Sequence, residues 1–384
     1  MSRMGLTLFA YPFRIFFLSL AIWAMLLVPL WLAQLLTPFR LPLALDPLLW
    51  HQHEMLFGLL SAAIAGFLLT AVCTWTQTAP LRGGLLAGLW LVWVAGRAVH
   101  LLGAGLPYWA VIAPDLLFPL LVMTDAGWRI WRARQRRHLP VLGVLLLLWL
   151  CLASFYRAPF GNFVSGALVL AMALMLVIGG RITPAFSANW LRMQGAGEPA
   201  PSNPLWLEQL ALVAVLLILP ALLLGYPTLT AAVALVAAVL ALLRIGLWRG
   251  WRVAAEPLLW ILHLSLLWVP VALLLLAGSR LGWVTPFAWQ HAAGIGAMGS
   301  LILGVMARVA LGHTGRPLRL ARGMIVAFAL IQLAALARVL AAVGWLPWRQ
   351  GLELSGAGWV IAFALFLVCY TRILIAPRPD GRPG

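Results

Sequence analysis

The sequence predicts an all-α membrane protein: a polytopic bundle of about 12 transmembrane spans with both termini cytoplasmic. Three observations carry this. Apolar residues make up 64% of the 384-residue chain and charged residues 9%, with a mean hydropathy of +1.02, whereas soluble domains carry about 25% charge. Apolar runs of about 18 to 25 residues, each long enough to cross a hydrocarbon core of about 30 Å, recur from Pro12 to Ala376 with little between them. The runs are continuous and rich in Leu and Ala, without the alternation of a lipid-facing strand, which selects helices over a β-barrel.

In chain order the expected spans are 12–36, 50–75, 83–105, 107–128, 139–156, 162–182, 204–224, 227–248, 257–278, 286–309, 321–344 and 354–376. The segment before Pro12 has one Arg, Arg3, and no small-residue cleavage pattern, so the first span is expected to be retained. Gln194–Asn203, rich in Gly, Pro and Ser, reads as a cytoplasmic linker (194–203) between a six-span half at 1–193 and another at 204–384. Pro29, Pro119, Pro220 and Pro270 fall inside spans as kinks that a bundle tolerates. Glycines 294, 296, 299 and 304 give span ten a small-residue face for close helix packing. Internal repetition is limited to a histidine near the start of one span in each half, His53 and His291.

A net charge of +17 points to nucleic acid in a soluble protein, but here the 26 basic residues are all Arg and sit at span ends. They read as topology signals. Arg129, Arg132, Arg134, Arg136 and Arg137 follow span four, Arg244, Arg249 and Arg252 follow span eight, Arg316, Arg319 and Arg322 follow span ten, and Arg378 and Arg382 follow span twelve. Exits from even-numbered spans are therefore expected in the cytoplasm. Cys73, Cys151 and Cys369 lack CxxC spacing and imply no disulfide framework. No phosphate-binding loop, dinucleotide fingerprint or nucleophile elbow occurs, which argues against nucleotide-driven pumping and hydrolase chemistry.

The chemistry-bearing residues are few. His51, His53 and Glu54 stand together where span two begins, and imidazoles beside a carboxylate at a membrane helix suggest a metal or haem site, against the plainer reading of interfacial residues in water. Two residues apart means about 200° around a helix, so His51 and His53 cannot clasp one metal from a continuous helix. Topology puts His291 on the same external side. His263 lies on the internal side with His313, which is about 33 Å from His291 along a helix, so those two cannot share an ion. His100 and His138, near span ends, are expected to face solvent. Arg14, Arg97, Arg181 and Arg308 lie within or near span ends, where a guanidinium must snorkel, pair or hold an anionic group. Asp115, the most deeply placed carboxylate, must be protonated or paired and is a proton-path or ion-pair candidate. Met298 and Met306 read as core.

Several strings resemble the NnrS family across nearly the whole chain. They are Tyr11-Pro12-Phe13-Arg14, Trp50-His51-Gln52-His53-Glu54-Met55, Gly180-Arg181-Ile182-Thr183-Pro184 and Met306-Ala307-Arg308, continuing to Leu311-Gly312-His313-Thr314-Gly315-Arg316. Cys73-Thr74-Trp75 stands where that family has Pro-Asn-Trp. The resemblance implies a bacterial inner-membrane protein containing haem and copper, associated with denitrification and resistance to nitric oxide stress. The function expected is binding of nitric oxide, or another small diatomic ligand, at haem b or copper, or protection of metal centres from it. His51, His53 and His291 would form an external metal site, and His263 with His313 an internal one. Arg14, Arg181, Arg308 and Arg316 would bind cofactor carboxylates, and Glu54 and Asp115 would orient the metal ligands from behind or supply a proton path. The alternative is a secondary transporter of a metal, haem or small anion that uses the same histidines transiently.

Overall fold

In the computed structural model, which describes residues 7–196 and 200–382, the chain is helical and holds no strand among those residues. Twelve helices among them are long and apolar enough to cross a membrane. They are α1 Pro12–Leu36, α2 Pro47–Thr76, α3 Gly83–Leu102, α4 Tyr108–Arg132, α5 Arg136–Arg157, α6 Phe163–Met193, α7 Leu205–Leu223, α8 Pro227–Leu247, α9 Pro257–Arg280, α10 Pro286–His313, α11 Arg322–Ala342 and α12 Trp348–Ile375. Hydropathy places α6 and α12 correctly but too short. Polar residues continue both helices beyond the apolar stretch, as Arg349 and Glu353 do with an i,i+4 pair of 2.9 Å.

Helix starts follow local chemistry. Proline occupies the first turn of α1, α2, α8, α9 and α10, where its missing N–H costs nothing. Asp46 caps α2 by accepting from the Leu48 N–H at 3.0 Å, and Glu256 caps α9 from the Leu258 N–H at 3.1 Å. Two helices contain π turns, Glu54–Gly58 in α2 and Ala292–Gly299 in α10, each of which widens the helix locally.

The described residues group into two compact units. The first comprises residues up to Val164, Met306–Gly323 and those from Phe363 onward; the second comprises Ser165–Val305 and Met324–Ala362. The expected 194–203 linker falls within the second, and its residues 197–199 lie outside the described ones.

In the first unit α2 is the enclosed helix, with 78% of its apolar window buried against 33% for α3 and 28% for α4, which turn most of their surface outward. Gly66 lets α1 come close, because a Cβ there would strike the Phe17 ring. Thr70 joins the same helices, its hydroxyl accepting from the Phe13 N–H at 3.2 Å and donating to the Gly66 carbonyl at 2.7 Å. Arg14 is fully buried and donates to the carbonyls of Leu374 at 2.6 Å and Ala376 at 2.8 Å, satisfying the end of α12.

The second unit has its own buried ion pair. Glu208 on α7 lies 3.1 Å from Arg244 on α8 and 3.0 Å from Arg181 on α6. Arg244 also donates to the carbonyls of Leu176 and Gly180 and to Asn203 Oδ1 at 2.9, 3.2 and 3.0 Å, and a Cβ at Gly180 would collide with its guanidinium. Arg244, one of the arginines that follow span eight, is fully buried, and helix-to-helix pairing replaces water around it. Glu208→Gln strands that guanidinium and is expected to destabilise the protein by about 3–5 kcal/mol. Adding Arg244→Met should recover most of the loss, as read by thermal unfolding in detergent.

Candidate functional site

Four helices deliver the densest set of ionisable side chains to one place in the first unit. The start of α2 brings His53 and Glu54, the end of α3 brings Arg97 and His100, the start of α4 brings Asp115, and the end of α5 brings Tyr156. All six are buried, His53, Glu54 and His100 completely. Since the helices are joined head to tail, the starts of α2 and α4 and the ends of α3 and α5 share one end of the unit.

Tyr156 Oη sits at the point of convergence. It lies 2.9 Å from His53 Nε2, 2.9 Å from His100 Nε2 and 2.8 Å from Asp115 Oδ2. His53 Nε2 itself approaches Asp115 Oδ2 to 2.6 Å. The ligand-type atoms of His53, His100 and Asp115 all lie within 4.8 Å of one another.

Each of these three side chains is aimed by a partner on its far side. His53 Nδ1 faces Glu54 Oε1 at 3.1 Å, which turns Nε2 inward. His100 Nδ1 lies 2.8 Å from the Gly96 carbonyl, and since a carbonyl only accepts, the proton sits on Nδ1 and Nε2 carries the lone pair. Arg97 Nη2 binds Asp115 Oδ1, leaving Oδ2 for the centre, while its Nε pairs with Glu54 Oε2 at 3.1 Å. The Trp23 indole donates to Glu54 Oε2 at 2.9 Å and the Trp93 indole to the Gly58 carbonyl at 3.0 Å. Tyr108 donates to the Tyr156 carbonyl and fixes the end of α5.

Two glycines make the room. A Cβ on Gly58 would strike Glu54 and Arg97, and one on Gly96 would strike Asp115. The π turn that begins at Glu54 adds the width needed for carboxylate and guanidinium to lie beside α2.

Two carboxylates stand against one guanidinium, and both nitrogens of His53 face carboxylates. Either a second proton on that ring or a bound cation supplies the missing positive charge. The Tyr156 hydroxyl has one proton and two acceptors within reach, Asp115 Oδ2 and His100 Nε2.

The other sequence candidates are distributed elsewhere. His51 stacks on Trp31 at 4.5 Å, turned away from His53 as their angular separation requires. In the same unit the His313 ring lies 5.7 Å from Phe13, Arg14 caps α12 as above, and Arg316 Nη1 is 3.4 Å from the Thr314 carbonyl. In the second unit His263 Nε2 meets Ser187 Oγ at 2.9 Å, His291 Nδ1 donates to the Phe287 carbonyl at 2.7 Å, and Arg181 pairs with Glu208. Arg308 is half-buried on α10. The solvent-facing expectation for two histidines is corrected: His100 is wholly buried in the cluster, and His138 stacks on Trp75 at 4.1 Å. Tyr156 and Trp23 went unnoticed in the sequence. The head-to-tail order of the helices was the available signal for Tyr156, because it puts the end of span five beside the start of span two.

Gly96→Ala is expected to push Asp115 off Arg97 and destabilise the unit by about 1–3 kcal/mol, whereas Gly88→Ala on the open side of α3 should be neutral within about 0.5 kcal/mol, both read by thermal unfolding.

No curated protein matches the chain. A family model described as NnrS protein matches residues 7–378, nearly the full length. With its strings, its twelve helices and this match in agreement, the chain belongs to the NnrS family.

Proposed function

We propose that the first unit binds a transition metal, copper by its donor set, between His53, His100 and Asp115, and that the protein acts there on nitric oxide or another small diatomic ligand. The observation that carries this is the convergence of two imidazole nitrogens and a carboxylate oxygen within 4.8 Å, all buried. Imidazole with oxygen donors suits Cu(II), and each ligand is already oriented from behind by Glu54, the Gly96 carbonyl or Arg97. Bound there, copper supplies a one-electron redox centre.

The chain's own residues set the conditions. Arg97 and Glu54 hold the ligands in register, so little rearrangement is needed on binding. The proton between His53 Nε2 and Asp115 Oδ2 must leave when a metal arrives, so binding releases protons. Tyr156 either becomes a further oxygen donor or stays as the nearest proton donor to anything held at the centre. Phe57 and Phe155 pack on the His53 ring at 5.6 and 5.7 Å and exclude water. Beside Phe57 lies a half-open apolar pocket of about 50 Å³, lined also by Leu60, Phe118 and Trp149, a lining that suits a small uncharged diatomic rather than an ion.

Haem b does not fit this cluster. The His53 and His100 rings lie stacked 4.3 Å apart with planes 8° from parallel, both Nε2 atoms on the Tyr156 hydroxyl and Phe57 and Phe155 packed on the His53 ring, so neither imidazole faces a space that would admit a macrocycle. No step here runs through haem. The arginines after even-numbered helices support an orientation with those ends in the cytoplasm of a bacterial inner membrane and the cluster on the opposite side.

Copper titration of the purified protein is expected to give one tight site per chain with release of protons into weak buffer. His53→Ala, His100→Ala and Asp115→Asn should each lower affinity at least about tenfold, while His263→Ala leaves it unchanged. Wild-type affinity in the first three variants rejects the assignment.

A further inference from the structure

The second unit repeats the local construction of the first. Asp46-Pro47-Leu48-Leu49-Trp50 opens α2 and Thr285-Pro286-Phe287-Ala288-Trp289 opens α10; both tryptophans are fully buried, and each is followed by a π turn. Trp23, eleven residues after Pro12, donates to Glu54, and Trp268, eleven residues after Pro257, donates to Gln332 Oε1 at 2.8 Å. Arg97 precedes Leu106-Pro107-Tyr108 by nine residues, and Arg338 precedes Leu346-Pro347-Trp348 by eight. The echo seen in the sequence as two histidines is therefore a matching set of four helices, with α9 to α12 answering α1 to α4.

The charges have not been kept with the scaffold. Counting from the shared prolines, Glu54 corresponds to Ala293, His53 to Ala292 and Asp115 to Ser355; counting from the shared arginine, His100 corresponds to Ala341. Packing supports the register. A Cβ on Gly351 would strike Ala341 and one on Gly358 would strike Ala334, so α11 and α12 touch on both sides of a level where Arg338 meets the Ser355 turn. This is the pairing that joins Arg97 to Asp115 in the first unit.

Arg338 is thus a guanidinium only 8% exposed, with no hydrogen bond or ion pair to any described residue. Nearby groups bring no negative charge: the neutral His291 offers only its Nε2 lone pair, and the buried polar atoms without partners at this end are donors. His291 gives its Nδ1–H to Phe287, and at the same end of the unit the Trp289 indole N–H and Arg280 Nε are buried without partners. A Thr285 hydroxyl bond of 2.9 Å to the Ala342 carbonyl ties the start of α10 to the end of α11 there. A largely buried cation with no counter-charge from the chain favours an anion beside it.

We propose that the second unit contains an anion site centred on Arg338, taking a free, small, planar oxyanion of the carboxylate type where Asp115 and Glu54 stand in the first unit. One positive charge calls for one negative charge, and the guanidinium fork favours two coplanar oxygens over a spherical halide. The site is independent of any metal at His53.

The test is calorimetric titration of the full-length protein, in nanodiscs of zwitterionic lipid, with sodium formate over a constant chloride background. Wild-type protein is expected to show one saturable formate site. Arg338→Met should abolish it and Arg338→Lys weaken it about tenfold. Ser355→Asp, which restores the internal carboxylate, should abolish formate binding while unfolding at or above the wild-type temperature. Absence of saturable formate binding in wild-type protein overturns the proposal, as does wild-type affinity in either Arg338→Met or Ser355→Asp. Saturation only by an added anionic phospholipid, with formate inert, overturns it equally.

Discussion

In a hydrocarbon medium no charge can be left to water, and the first unit is organised around how Arg97 meets that constraint. Its guanidinium bridges Glu54 on α2 and Asp115 on α4, so three helices are fixed by one side chain. His53 takes its orientation from the same pair of carboxylates, and His100 from the Gly96 carbonyl. The close approach at Gly58 and Gly96 and the widened turn at Glu54 exist in the structure where this bridge needs space. Polar groups that would each be costly alone become mutually satisfying as a set.

The second unit meets the same constraint twice, with different results. Glu208 neutralises Arg244 and engages Arg181, an arrangement in which carbonyls of α6 complete the guanidinium's hydrogen bonds. Arg338 has lost the carboxylates that its position in the scaffold would provide. The contrast shows that burial of Arg in this protein is not by itself a functional signal. What separates a structural arginine from a binding one is whether its counter-charge belongs to the chain.

Much of the fold was legible because the bilayer dictates it: twelve apolar runs had to become twelve helices, and Pro12, Pro227, Pro257 and Pro286 begin both the expected and the observed helices. The divergence of His51 and His53 followed from helix geometry alone. The site itself was only half visible. Glu54, His53 and Asp115 stood out because ionisable residues are rare here, but His100 and His138 were misjudged because a place near a span end was equated with exposure. Helices that continue past the apolar core, and neighbours that pack around their ends, bury such positions. Tyr156 carries no charge and no motif, so only knowledge of which helix ends meet makes it conspicuous. The repeat stayed hidden for a related reason: the residues that changed between units are the chemically distinctive ones, while the conserved device is a proline, a tryptophan and a turn.

The order of the bridged residues along the chain bears on biogenesis. Glu54, Arg97 and Asp115 lie on successive helices, so a membrane insertase meets charges of alternating sign, one per span. An α2 released into lipid alone would carry an uncompensated carboxylate, and α3 following it would bring the compensating cation. Lateral release of these helices is therefore favoured as a hairpin and then as a trio rather than singly, and the nascent protein acquires its polar centre as a condition of entering the membrane.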